Sequence, residues 1–267
     1  MPNFVSTGIS IGGVHSNTVG VMLVKVGDGG MIPTQVGAGR SIQQVRVSGV
    51  DTPFFYRTDV EDGGLDFTFT LHSATPTLSW STLATRQAIY QWIYGSRGYV
   101  DVISDDDTSK VYKCAFTSPL QLNTADLSNG YFTVSAQCLP HAYTVLASTP
   151  ITISSQPTTV VVANSQNVMN ADMTYNYGPT LTIVPTGTSF KWTNTSDSNR
   201  IFELSPVSAG ETITINSRLK TITGSVSTNL IASLTNKAWP RLVAGNNSLQ
   251  FNTTGTCTIE TQFPVLR

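Results

Sequence analysis

The stretch Leu65-Asp66-Phe67-Thr68-Phe69-Thr70-Leu71 alternates apolar and polar side chains without a break. Successive side chains of an extended strand point to opposite faces, so Leu65, Phe67, Phe69 and Leu71 share one side while Asp66, Thr68 and Thr70 share the other. One wet face and one apolar face suit an antiparallel sheet packed on a core. The same period of two recurs further along the chain. Tyr112, Cys114 and Phe116 alternate with Lys113, Ala115 and Thr117, and Phe132, Val134, Ala136 and Cys138 with Thr133, Ser135 and Gln137. Val19 to Val26 is a denser apolar run and is predicted to be a more fully buried strand.

One segment breaks the rule. From Thr82 to Tyr94, Ala84, Ala88, Ile89, Trp92 and Ile93 recur at helical spacing, with Ser81 or Thr82 available as N-cap and Gly95 suited to a left-handed C-terminal residue. Between Ser148 and Thr180 the chain turns to Ser, Thr, Pro and Asn, as in an interdomain connection, with Val160 to Val162 as a possible edge strand. Beyond it, short strand candidates separated by turn residues, with no helical pattern, indicate a β-sandwich or jelly roll. The predicted fold class is therefore mainly β. A sandwich-like domain spans residues 1–147 with one short α-helix at about 82–94, a connection spans 148–176, and a β-sandwich spans 177–267.

Composition narrows the function. Hydrophobic residues make up 40% of the 267-residue chain and charged residues only 12%, about half the usual share, so a sizeable core meets a weakly charged surface. The net charge of -1 argues against nucleic-acid binding, which needs clustered Lys and Arg. Neither half is strongly basic, with 8 basic and 11 acidic residues up to residue 150 and 7 and 5 after it. A surface poor in charge lowers the desolvation cost of large protein contacts. Cys114, Cys138 and Cys257 form no C-x-x-C pair, and are read as buried thiols in a reducing cytosol. With no signal-like segment and no apolar run of bilayer length, synthesis in a cytoplasm and no membrane partner are expected.

The candidate chemistry is sparse. Asp105, Asp106 and Asp107 are consecutive, whereas a calcium loop spaces its carboxylates at alternate positions with a distal acidic ligand. Flanked by strand patterns at Tyr99–Ile103 and Lys110–Phe116, they read as a hairpin tip. The glycine-rich Val26–Ser41 lacks the lysine of a phosphate-binding loop and reads as a flexible loop or extended arm. His15, His72 and His141 carry no ligand or triad spacing, and Asp59, Glu61 and Asp62, followed by two glycines, read as a turn. Trp192 and Trp239 fit core packing, with stacking on a sugar as the functional alternative.

The order of these parts resembles the distal tail (Dit) proteins of bacteriophages with long non-contractile tails. The resemblance runs through LDFTFTL, the helix RQAIYQWIYG, the hairpin at Asp105–Asp107, VYKCAFTSPLQL, GYFTVSAQCLPHAYT and the Pro140-His141-Ala142-Tyr143 ending. It continues through YNYGPTLTIVPTG, ETITINSRLKTI and WPRLVAGNNSLQF. It implies a structural protein without catalytic residues or cofactors. In it, first domains close a ring of six copies at the end of the tail tube, and a galectin-like β-sandwich projects outward. Its implied partners are further copies of itself, the tail tube protein, a tail-tip hub protein and a receptor-binding protein. Its implied place is the virion's tail tip or baseplate, after assembly in the host cytoplasm, with no sequence-specific nucleic acid bound. The segment Gly27 to Gly39, including Asp28, Met31, Ile32, Pro33 and Gly37, is offered as an arm crossing to a neighbouring subunit, on its length and glycine content. Two alternatives stand beside this reading: a carbohydrate-binding module acting through Trp192 or Trp239, and a glycoside hydrolase.

Overall fold

The computed structural model of the chain describes residues 8–26, 40–48, 51–60, 63–71, 79–124, 130–164, 177–227 and 230–265. Two units result, one formed by Met1–Val145 with Val265–Arg267 and the other by Leu146–Pro264.

The first unit contains β1 (Ile9–Ile11), β2 (Val14–His15), β3 (Val21–Val26), β4 (Arg40–Val45), β5 (Phe54–Val60) and β6 (Gly63–Leu71). These are followed by α1 (Leu83–Tyr94), β7 (Val100–Ser104), β8 (Asp107–Phe116), β9 (Gln121–Thr124) and β10 (Gly130–Thr144). A nine-stranded sheet runs in the order β2-β1-β7-β8-β10-β6-β3, with β9 and the short Pro264–Val265 strand also on β10. The alternation of β6 places Phe67 and Phe69 in the core, where Phe69 stacks on Phe132 of β10 at 5.0 Å between ring centroids. The dense apolar run at Val19–Val26 behaves differently from its prediction. Because β3 ends the sheet, Val21 and Leu23 are buried while Val24 is 58% exposed.

The helix forms where its periodicity placed it, but turned about its axis. Thr85, Ile89, Trp92 and Ile93 are the buried stripe, while Ala84 and Ala88 face outward. Trp92 Nε1 donates to the Val14 carbonyl at 2.9 Å, so the indole packs as a hydrophobe with its polar edge satisfied. Thr82 is the N-cap residue without a side-chain cap bond, and Gly95 has φ -63, a right-handed rather than left-handed ending.

β10 carries an irregularity that the sequence pattern hides. Cys138 faces Cys114 and Ala142 faces Tyr112, so Leu139, Pro140 and His141 together oppose Lys113 alone. A proline cannot donate to a ladder, and a bulge is where a central strand tolerates one. The same register overturns the reading of three free thiols. Cys114 and Cys138 are directly opposite, with 4.1 Å between Cα atoms, and are joined as a disulfide, leaving Cys257 as the buried free thiol. Sequence separation of 24 residues says nothing of such a pairing; the cross-strand register does.

The second unit contains β11 (Ala147–Ile153), β12 (Thr158–Asn164), β13 (Thr180–Pro185), β14 (Phe190–Asn194) and β15 (Arg200–Leu204). It continues with β16 (Ile213–Asn216), β17 (Thr221–Gly224), β18 (Gly245–Phe251) and β19 (Gly255–Thr261). One sheet runs β11-β19-β13-β16-β17 and the other β12-β18-β14-β15. Leu181, Ile183, Ile213, Ile215 and Ile259 from the first meet Phe190, Trp192, Phe202, Leu249 and Phe251 from the second in one core, which makes the unit a β-sandwich. The stretch 148–176, read as a connection, instead begins with two strands, β11 and β12. Ile151, Ile153 and Val162 point into the core at alternate positions, and Pro150 is accommodated because β11 lies at a sheet edge.

Candidate functional site

Among the described residues, those singled out for chemistry form local pairs rather than one shared site. Asp105 and Asp106 form the turn between β7 and β8, as the hairpin reading requires, and their carboxylates have local work. Asp105 lies 3.1 Å from His15 Nε2, Asp106 accepts from the Ser104 hydroxyl, and Asp107 accepts from Ser109 and pairs with Lys110 at 3.4 Å. The Ser109 hydroxyl bond, with a smaller contribution from the Lys110 charge, holds the Asp107 carboxyl below its ordinary range. His141 lies in the β10 bulge, away from the tip, and His72, Glu61 and Asp62 lie outside the described residues. Asp59 falls on β5.

The two tryptophans part company. Trp192 is 1% exposed and enclosed by Phe202 and Phe251, with ring centroids 6.3 and 5.9 Å away, so no sugar can stack on it. Alternation with Phe190 along β14 turns it inward. Trp239 is half-buried beside Lys220, whose Nζ is 5.1 Å from the ring centroid. The remaining nominated residues, Gly27, Asp28, Met31, Ile32, Pro33, Gly37 and Gly39, lie outside the described residues.

What sequence reading missed stands immediately after that segment. β4 and β5 form a two-stranded ribbon hydrogen-bonded to none of the three larger sheets. Ile42, Val45, Val47, Phe54, Phe55 and Tyr56 on or beside it are between 47% and 69% exposed, and none belongs to a core. An isolated hairpin is marginal in water and needs a third strand or an apolar partner. The weak alternation of SIQQVRV and FFY, apolar on both faces, was the available signal. A second apolar feature lies on α1, where Leu83 and Tyr90 wall a groove completed by Tyr94, Phe116, Leu120 and Leu122. There the Tyr94 hydroxyl donates to the Ser118 carbonyl, and burial followed by the neighbouring Tyr90 raises its pKa.

Comparison with known proteins follows the same division. A family model described as the phage tail protein N-terminal domain matches residues 6–139, and one described as the phage tail C-terminal domain matches residues 141–263. Comparison with the curated proteins finds no match. Among solved structures, the chain is similar to the Dit (gp 19.1) protein of phage SPP1, described as a paradigm of the hub adsorption apparatus in phages infecting Gram-positive hosts. The TM-score is 0.62 at 13% identity, over 96% of this chain and 98% of that one. It is also similar to a chain of the phage P2 baseplate in its activated conformation with calcium, with TM-score 0.54 at 10% identity over 96% and 97% of the two chains. At these identities the likeness is one of fold.

Proposed function

This chain belongs to the phage tail protein family, and from that premise we propose that it is a non-enzymatic hub of the tail tip whose copies close into a ring through the β4–β5 ribbon. The observation that carries the reading is the ribbon itself. Its apolar side chains face water on both sides, and covering one Phe or Ile stabilises an assembly by about 1.5–3 kcal/mol. A ring follows when one surface of each copy meets a different surface of the next and the rotation closes. β3 is an available receiver, since it ends the nine-stranded sheet and presents the exposed Val24.

The segment containing Gly27, Asp28, Met31, Ile32, Pro33, Gly37 and Gly39 leads directly into β4 and serves in this reading as the reach of the arm. A ring of six copies would join the tail tube protein to a tail-tip protein and carry receptor-binding proteins outward. Its location would be the tip of the virion tail after assembly in the host cytoplasm, with no cofactor needed. The fold shared with a hub protein and a baseplate chain supports this assignment.

Negative-stain microscopy and native mass spectrometry of the full chain test it. The expected result is a ring with a central hole, replaced by monomers when residues 27–60 are deleted, with the second unit's thermal transition retained. A wild-type chain that stays monomeric, or a deletion variant that still forms the ring, overturns it.

A further inference from the structure

Four of the six described Lys and Arg residues of the second unit line one pocket. It measures about 340 Å³ and is walled by Arg200 at the start of β15, Ser217, Arg218 and Lys220 in the turn between β16 and β17, Trp239, and Gly178. Arg241, the fourth cation, is already neutralised. Its Nε and Nη2 donate to the Asp197 carboxylate at 2.6 and 2.7 Å, and that bond and charge raise its pKa further. The other three pair with no carboxylate among the described residues. Arg200 Nε donates to the Trp239 carbonyl at 3.1 Å, Lys220 lies on the indole, and Arg218 has no partner among the described residues. Two of the unit's described acids are engaged with other partners: Glu203 with Lys191, and Glu211 with Val226 and Ser227.

Further observations mark the pocket as more than a basic surface. Ser217 is 1% exposed, and its hydroxyl has no hydrogen-bond partner among the described residues, an orphaned polar group in the wall that a ligand oxygen would satisfy. Lys220 sits at φ 57, a left-handed conformation that glycine or asparagine would adopt more easily, so the turn holds a long cation where its backbone disfavours one. Gly178 packs tightly against the turn that carries Ser217 and Arg218. A Cβ there would stand 3.2 Å from the Ser217 Cβ and from the Arg218 nitrogen. Desolvation, then the positive charge of Arg200, lowers the Lys220 pKa, as expected of cations gathered without a counter-charge.

We propose that this pocket binds a phosphate group carried on a sugar. The cations give the charge: a phosphate monoester carries about -1.5 to -2 at neutral pH and offers three acceptor oxygens, which suits two guanidinium forks and one ammonium better than a single carboxylate does. The indole gives the second half of the recognition, an apolar face for the ring that bears the phosphate. The geometry does not favour nucleic acid, whose affinity depends on several phosphates along a basic stripe; here the cations are confined to one small pocket of a weakly charged domain. This site lies in the second unit, and binding to it does not require the ring.

The test uses the full-length protein and tryptophan fluorescence with calorimetry. Glucose 6-phosphate is expected to bind, and glucose is not. Arg218→Ala and Lys220→Asn, both in an exposed turn, are expected to weaken binding roughly tenfold or more each while leaving the circular dichroism and melting curve unchanged. Lys220→Asn is the more informative of the two, since asparagine suits the left-handed turn and the ammonium is lost without added backbone strain. Absence of glucose 6-phosphate binding overturns the proposal, as does binding that survives both substitutions. Inorganic phosphate binding as tightly as glucose 6-phosphate overturns the sugar assignment, and tighter binding of a single-stranded oligonucleotide overturns the ligand class.

Discussion

The two units dispose of their apolar residues in opposite ways. In the second, both sheets turn their large side chains into one core, and exposed apolar residues such as Val161, Leu219 and Val226 are scattered singly. In the first, a comparable aromatic core coexists with a ribbon that leaves Phe54, Phe55 and Tyr56 in water, and with the α1 groove. Each unit has enough core to fold, so the surplus on the first is not a packing failure. In the reading proposed above it is surface held for another molecule, and the second unit's basic pocket is the proposed place of polar recognition.

The contrast can be broken at several points. The largest effect is expected from Trp192→Ala, which empties the centre of the second core and costs about 3–5 kcal/mol. Calorimetry would register it in the second unit's transition and leave the first unit's in place; a joint loss would mean the units do not fold separately. Phe54→Ser with Phe55→Ser is expected to weaken self-association by roughly 100-fold without lowering the melting temperature, read by sedimentation velocity. Asn247→Ala removes a fully buried amide that accepts from Val243 N and donates to the Val243 and Gly245 carbonyls. It is expected to cost about 1–3 kcal/mol in urea titration.

The smallest effect concerns acid. Glu211 accepts from the amides of Val226 and Ser227 and from the Ser227 hydroxyl, and the Ser227 bonds, first among the causes, lower its pKa from 4.5. A carboxyl depressed in the folded state contributes stability that is present above its unfolded value and lost as pH falls through the folded one. Wild-type urea midpoints are therefore expected to drop more steeply than those of Glu211→Gln between about pH 5 and about pH 3. Equal slopes would remove Glu211 from the account of the second unit's stability.

Much of the frame was legible in the chain because alternation and burial are the same fact seen twice. Phe67, Phe69, Phe132 and Val134 could be assigned to a core before any coordinates, and the helix could be placed to within a residue of Leu83–Tyr94. Register was not legible. The Cys114–Cys138 pairing and the bulge at Pro140 depend on which residue faces which across strands, and no local pattern encodes that. Low apolar density disguised β11 and β12, since edge strands need only a few inward residues. The basic pocket was invisible for a third reason: Gly178, Arg200, Arg218 and Trp239 come from four separate segments, so only the folded topology brings them together.

The chain leaves the first unit after Val145 and returns to it at Val265, so the second unit is an insertion within the first. Its entry and exit strands are partners, with Ala147 opposite Thr261, which brings the two crossing points of the backbone together. A module whose ends meet at one doorway can be exchanged for another without stretching the host fold. Other domains with closely spaced ends can therefore be grafted at this position without disturbing the first unit's sheet.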